Sequence, residues 1–127
     1  ADSARRFECG SPNMLGIHAL LASIELLIAT DMAKVEQRVI GNSESLFTLI
    51  KNSVNLECLT DMTPGRYAGI VVFRHQHYPS EHVYRYLMQQ RVLCALRGGG
   101  VRYSPHYYTP VELLQKAIKL ADNCPAP

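Results

Sequence analysis

The stretch CALRGGGVRYSPHYYTP, Cys94 to Pro110, decides how this chain is read. An apolar run, Val92–Leu96, leads to Arg97 and three consecutive glycines, and Val101-Arg102-Tyr103-Ser104 then resumes a strand-like pattern. Glycine reaches backbone conformations closed to other residues, so the triplet predicts a tight turn between two strands. Thr109-Pro110 follows as a helix start, and Val111, Leu113, Leu114, Ala117, Ile118 and Ala121 recur at helical spacing as its inward face. The stretch is therefore strand, turn, strand, helix.

Working outward, residues 81–91 predict a helix capped by Ser80, with Val83, Tyr84, Leu87 and Met88 as its apolar face. AGIVVF, Ala68–Phe73, is a continuous apolar run that predicts a central strand buried on both faces, and RHQHYP after it reads as a loop. VNLECL, Val54–Leu59, alternates like a half-buried strand, and Pro64-Gly65 supplies a turn. Toward the N-terminus, Ser11 stands as a helix cap with Pro12 at the first helical position. Met14, Leu15, Ile17, Leu20, Leu21, Ile24, Leu27 and Ile28 cover more than half of that helix, which predicts a largely buried element. Thr30 or Asp31 caps a second helix carrying Met32, Val35, Val39, Leu46, Phe47 and Ile50, with Gly41 and Asn42 as a point of kinking or division. Residues 1–11 read as an extended lead-in. The order is two helices, two strands, helix, two strands, helix: an α+β layer with a small, mainly antiparallel sheet of about four strands covered by helices.

Composition sets bounds on function. The 127 residues are 47% hydrophobic and 19% charged, values of a globular domain with a core of its own. A net charge of +2 gives no footprint for nucleic acid or a membrane surface. The apolar run Gly16–Ala29 includes His18 and Glu25 and is too short for a membrane span, and no export leader pattern opens the chain. Cys9, Cys58, Cys94 and Cys124 form no CxxC pair and no His–Cys cluster with metal-ligand spacing, so a reduced, cytoplasmic chain without zinc is expected.

Several residues carry chemistry or a plain structural role. Arg102 offers a planar fork that matches a carboxylate, or is simply an exposed arginine on a hairpin. His106, Tyr107 and Tyr108 line a pocket or pack as surface rings on the last helix. His75 and His77 alternate without a third ligand and read as exposed loop histidines. Ser11 at a helix N-terminus suits an anion, or merely caps the helix. Cys94, inside an apolar strand, reads as a small buried hydrophobe. No Ser–His–Asp set and no paired carboxylates stand out.

RRFECGSPNMLGIHALLASIELL, Arg5–Leu27, and LRGGGVRYSPHYYTPVELLQKAI, Leu96–Ile118, with PGRYAGIVVF between them, together resemble the C-terminal part of class V aminotransferases, pyridoxal-phosphate enzymes of fold type I. The resemblance implies that residues 1–11 end a large domain and that residues 12–127 form the small C-terminal domain. It implies that Arg102 binds the α-carboxylate of an amino-acid substrate and that Arg97 belongs to the same region. It also implies that Ser11, where the family has threonine, meets the cofactor phosphate of the partner subunit across a homodimer. The family's YNT is YYT at Tyr107–Thr109. The reactive cysteine of desulfurases has no counterpart between Arg97 and Arg102, which favours the epimerase-like or kynureninase-like branch over a desulfurase-type lyase. Lys34, Lys51, Lys116 and Lys119 match no cofactor-lysine motif, so the large domain that would hold the cofactor lies outside these residues and the chain alone is not expected to catalyse. A stand-alone binding or self-associating module that reuses the fold is the alternative.

Overall fold

The computed structural model describes residues 2–7 and 10–127, so Cys9 lies outside the described residues. The chain divides into two compact units, residues 1–34 and residues 35–127.

In the first unit a single 3-10 turn, Ala4–Phe7, replaces the extended lead-in expected for this segment. Helix α1 then runs Met14–Thr30. Its cap is Asn13, not Ser11: the Asn13 side-chain oxygen accepts the Gly16 N–H at 3.0 Å. The longer Asn side chain reaches the free N–H groups of the first turn from one residue before the helix. Pro12 consequently precedes the cap instead of opening the helix. The burial expected of α1 is not found, since none of its residues is buried and Leu15, at 84%, and Ile28, at 67%, stand well exposed. The apolar pattern therefore belongs to an exposed helix.

Helix α2, Met32–Lys51, starts behind Asp31, whose carboxylate accepts the Ala33 N–H at 3.0 Å. Gly41 and Asn42 neither end nor divide it. In the second unit follow β1 (Leu56–Cys58), β2 (Val71–His75), α3 (Ser80–Gln89), β3 (Ala95–Arg97), β4 (Gly100–Tyr103) and α4 (Val111–Asp122). The expected order is thus observed. All pairings are antiparallel in the spatial order β1-β2-β4-β3, so β4 lies between its hairpin partner and β2. Pro79 and Pro110 occupy the cap positions of α3 and α4, and Ser80 is instead the first residue of its helix.

The core forms on one face of the sheet. Val71, Phe73, Val101 and Tyr103 meet Leu46, Phe47 and Ile50 of α2, Val83 and Leu87 of α3, and Leu114, Ile118 and Ala121 of α4. Tyr103 anchors this layer by donating its hydroxyl to the Ala117 carbonyl at 3.1 Å, with the Phe73 ring edge-on at 5.0 Å. Strand β2 is therefore not buried on both faces as its apolar run suggested. Val71, Phe73 and His75 point into the core, while Val72 is half-buried and Arg74 exposed, because the core helices gather against a single face. His75 is likewise no loop histidine: it ends β2 at 5% exposure, stacked on Tyr78 at 4.4 Å. Among the described residues no single helix is long and apolar enough to cross a membrane.

Candidate functional site

The two-residue turn Gly98-Gly99 joins β3 to β4, with φ of 63° and 80°. Positive φ at both central positions is what a hairpin of this length requires, and glycine adopts it without strain. Gly100 has a different reason to be glycine: a Cβ there would run into the Phe73 carbonyl on the neighbouring strand. The turn is tied to α3, where the Ser80 hydroxyl donates to the Gly99 carbonyl at 3.3 Å.

This hairpin sets the arginines on the sheet face away from the core helices. Arg102 lies opposite Val72 on one side and Ala95 on the other, so two small apolar residues flank it. Its side chain is half-buried, and its Nε is enclosed without a hydrogen-bond partner. Among the described residues no carboxylate lies within salt-bridge distance of it. Arg97, two residues along β3 from Ala95, lies on the same face, exposed and also without an ion pair among the described residues. Arg74 of β2 shares the face but is satisfied, with its Nε and a terminal nitrogen each 2.8 Å from the Glu57 carboxylate.

The loop that follows β4 is fixed by groups that sequence reasoning missed. Asn42, buried on α2, donates its side-chain amide to the carbonyls of His106 at 2.9 Å and Thr109 at 3.2 Å. Within the loop the His106 N–H donates to the Thr109 hydroxyl and the Thr109 N–H to the His106 carbonyl, both at 3.0 Å. The adjacent Ser43 donates to the Ala68 carbonyl at 2.6 Å and so ties down the segment before β2. The signal was available: two polar residues interrupt the apolar face of α2 between Val39 and Leu46. The rings of His106, Tyr107 and Tyr108 pack on one another, His106 stacked against Tyr108 at 4.9 Å, and the enclosed Nδ1 of His106 has no partner.

Ser11 is exposed in the segment before α1, and its hydroxyl has no hydrogen-bond partner among the described residues. Cys94 lies just ahead of β3, half-buried against the core, where burial pushes its thiol up. That is the environment of a structural cysteine, not of a nucleophile.

The model of the family described as aminotransferase class V matches residues 1–109. An uncharacterized aminotransferase, YcbU, of Bacillus subtilis (strain 168) is 25% identical over 123 residues, covering 93% of this chain and 31% of that protein. A solved structure described as the cystine C-S lyase C-DES in complex with its reaction product, cysteine persulfide, superposes with a TM-score of 0.85 at 21% identity. That match covers 98% of this chain and 33% of the other, and at such identity it is a likeness of fold. The chain thus spans about a third of the length of these relatives. With the family match running from residue 1 through the hairpin and the loop after it, the chain belongs to the aminotransferase class V family.

Proposed function

We propose that residues 12–127 are the small C-terminal domain of a pyridoxal-phosphate-dependent enzyme acting on an amino acid, that residues 1–11 end its large domain, and that Arg102 binds the substrate's α-carboxylate. The observation that carries this reading is the state of Arg102. A half-buried guanidinium with an enclosed, unmet Nε–H and no counter-charge among the described residues costs stability where it stands. A carboxylate supplies both the missing charge and oxygen acceptors for the fork. Its cross-strand neighbours, Val72 and Ala95, are apolar and offer it no side-chain acceptor. Arg97 is the second substrate-facing cation of the site.

The residues present fit two of the three ends of such a site. Arg102 suits the substrate carboxylate. Ser11, with an exposed hydroxyl, would hold the cofactor phosphate, in the family's manner across a homodimer. The covalent attachment is not supplied here, because Lys34, Lys51, Lys116 and Lys119 are all exposed on helices and none lies on the sheet face with Arg102. When bound, pyridoxal phosphate supplies an electron sink for the substrate's α-carbon. The contribution of this chain is to orient the amino acid through its carboxylate, so the 127 residues do not turn over substrate alone. The apolar face of α1 is, on this reading, cover for the rest of the enzyme.

The test is Arg102→Ala in the full-length enzyme. Loss of a charge-assisted, bidentate contact of about 3 kcal/mol lowers kcat/KM about 100-fold, with weaker binding of substrate-like carboxylates. Kinetics within a few-fold of the parent enzyme would remove Arg102 from the site.

A further inference from the structure

We infer that the substrate carries a second anionic group, as a dicarboxylic amino acid does, and that Arg97 recognises it. The inference rests on the reading of Arg102 as the α-carboxylate arginine. It comes from the charge arrangement on the exposed sheet face. The strand register places Glu57 opposite Arg74, Val72 opposite Arg102 and Arg97 opposite Gly100. Arg74 lies two residues along β2 from Val72 and Arg97 two residues along β3 from Ala95, so both share the sheet face of Arg102. Arg102 is diagonal to both, at a backbone separation of about 7–8 Å.

Three arginines thus share one sheet face with Glu57. Glu57 holds Arg74 on the β1 side with both contacts at 2.8 Å, and among the described residues neither Arg97 nor Arg102 has an ion-pair partner. Like charges on neighbouring strands disfavour the sheet. A substrate with a single carboxylate neutralises only one of them; an amino acid with a side-chain carboxylate neutralises both. Arg97 is also well mounted for the task. Its backbone adjoins a turn shaped by positive-φ glycines and bonded from Ser80, while its side chain remains exposed.

The test uses the full-length enzyme and two anions of equal chain length, succinate and butyrate, with binding followed by calorimetry. The parent enzyme is expected to bind succinate about 30-fold more tightly than butyrate, the worth of one charge-assisted contact. Arg97→Gln brings that ratio to within about threefold, and Arg97→Lys, which keeps the charge, recovers part of it. Arg102→Gln weakens both anions. Equal affinity for the two in the parent enzyme, or an unchanged ratio in Arg97→Gln, overturns the second-anion inference while leaving Arg102 in place. Undiminished binding of both anions by Arg102→Gln overturns the reading beneath it. Turnover adds an independent check: kcat/KM for aspartate or glutamate over that for its amide should fall about 30-fold in Arg97→Gln, mostly through KM.

Discussion

Replacing Asn42 by alanine should loosen the loop that follows β4 without disturbing the sheet. The Asn42 amide makes two bonds to backbone carbonyls, and both are lost. The His106 carbonyl retains the Thr109 N–H as a partner, whereas the Thr109 carbonyl loses its bond from Asn42. At about 1 kcal/mol for each neutral bond the cost is about 2 kcal/mol, or about 30-fold in the opening of residues 106–109. Amide hydrogen exchange reads this directly, because the His106 and Thr109 N–H groups are bonded within the same loop. Both should exchange about 30-fold faster in Asn42→Ala, while the Asn123 N–H at the end of α4, bonded to the Lys119 carbonyl, keeps its rate. Asn42→Asp preserves size but turns carboxylate oxygens toward two carbonyls, so it should exceed alanine in effect. If Asn42→Ala left the loop amides unchanged, or if aspartate protected them as asparagine does, the clamp would have no energetic content.

Gly100→Ala should destabilise the second unit by about 3 kcal/mol, seen as a lower denaturation midpoint, because the new Cβ meets the backbone carbonyl of Phe73. The same change at Gly41, where nothing lies within 4 Å, should instead stabilise α2 by about 0.5–1 kcal/mol. His75 should make stability fall on acidification. Burial, and next the nearby His77, lower its pKa in the folded chain, so the unfolded chain takes up the proton first as pH drops below about 6.5. Stability is then complete above that value and declines down to the lowered folded-state pKa; His75→Phe, which keeps the stacking on Tyr78, should flatten that part of the pH profile of unfolding.

The order of elements was legible because each helix or strand declares its own period within a few residues. Val111–Asp122 and Ser80–Gln89 needed no information from elsewhere in the chain. What the local pattern could not show was which layers would meet. The run Ala68–Phe73 looks the same whether helices cover one face of the sheet or two, and only the position of α2, α3 and α4 makes Val71 and Phe73 core while leaving Arg74 outside. Asn42 resembled a helix-weakening residue for the same reason, since its partners lie more than sixty positions away. The start of α1 was read at Ser11 and Pro12, and the reach of the Asn13 side chain to Gly16 moves it to Asn13. Arg102 was singled out from its place after the glycines and Arg97 from the family resemblance, while the pairing of Arg74 with Glu57 required the register of β1 on β2.

The strand order β1-β2-β4-β3 also orders events in time. The β3–β4 hairpin closes through two glycines and can form within about 1–10 μs. Joining β4 to β2 means closing a much longer stretch of chain that contains α3 and β3, and non-local pairing of this kind is slow. Arg102 therefore reaches its neighbour Val72 on a preassembled hairpin, and its flanking residues are completed only at that docking step. A mutation that slows the docking of β4 would delay the enclosure of Arg102 even where final stability is unaffected.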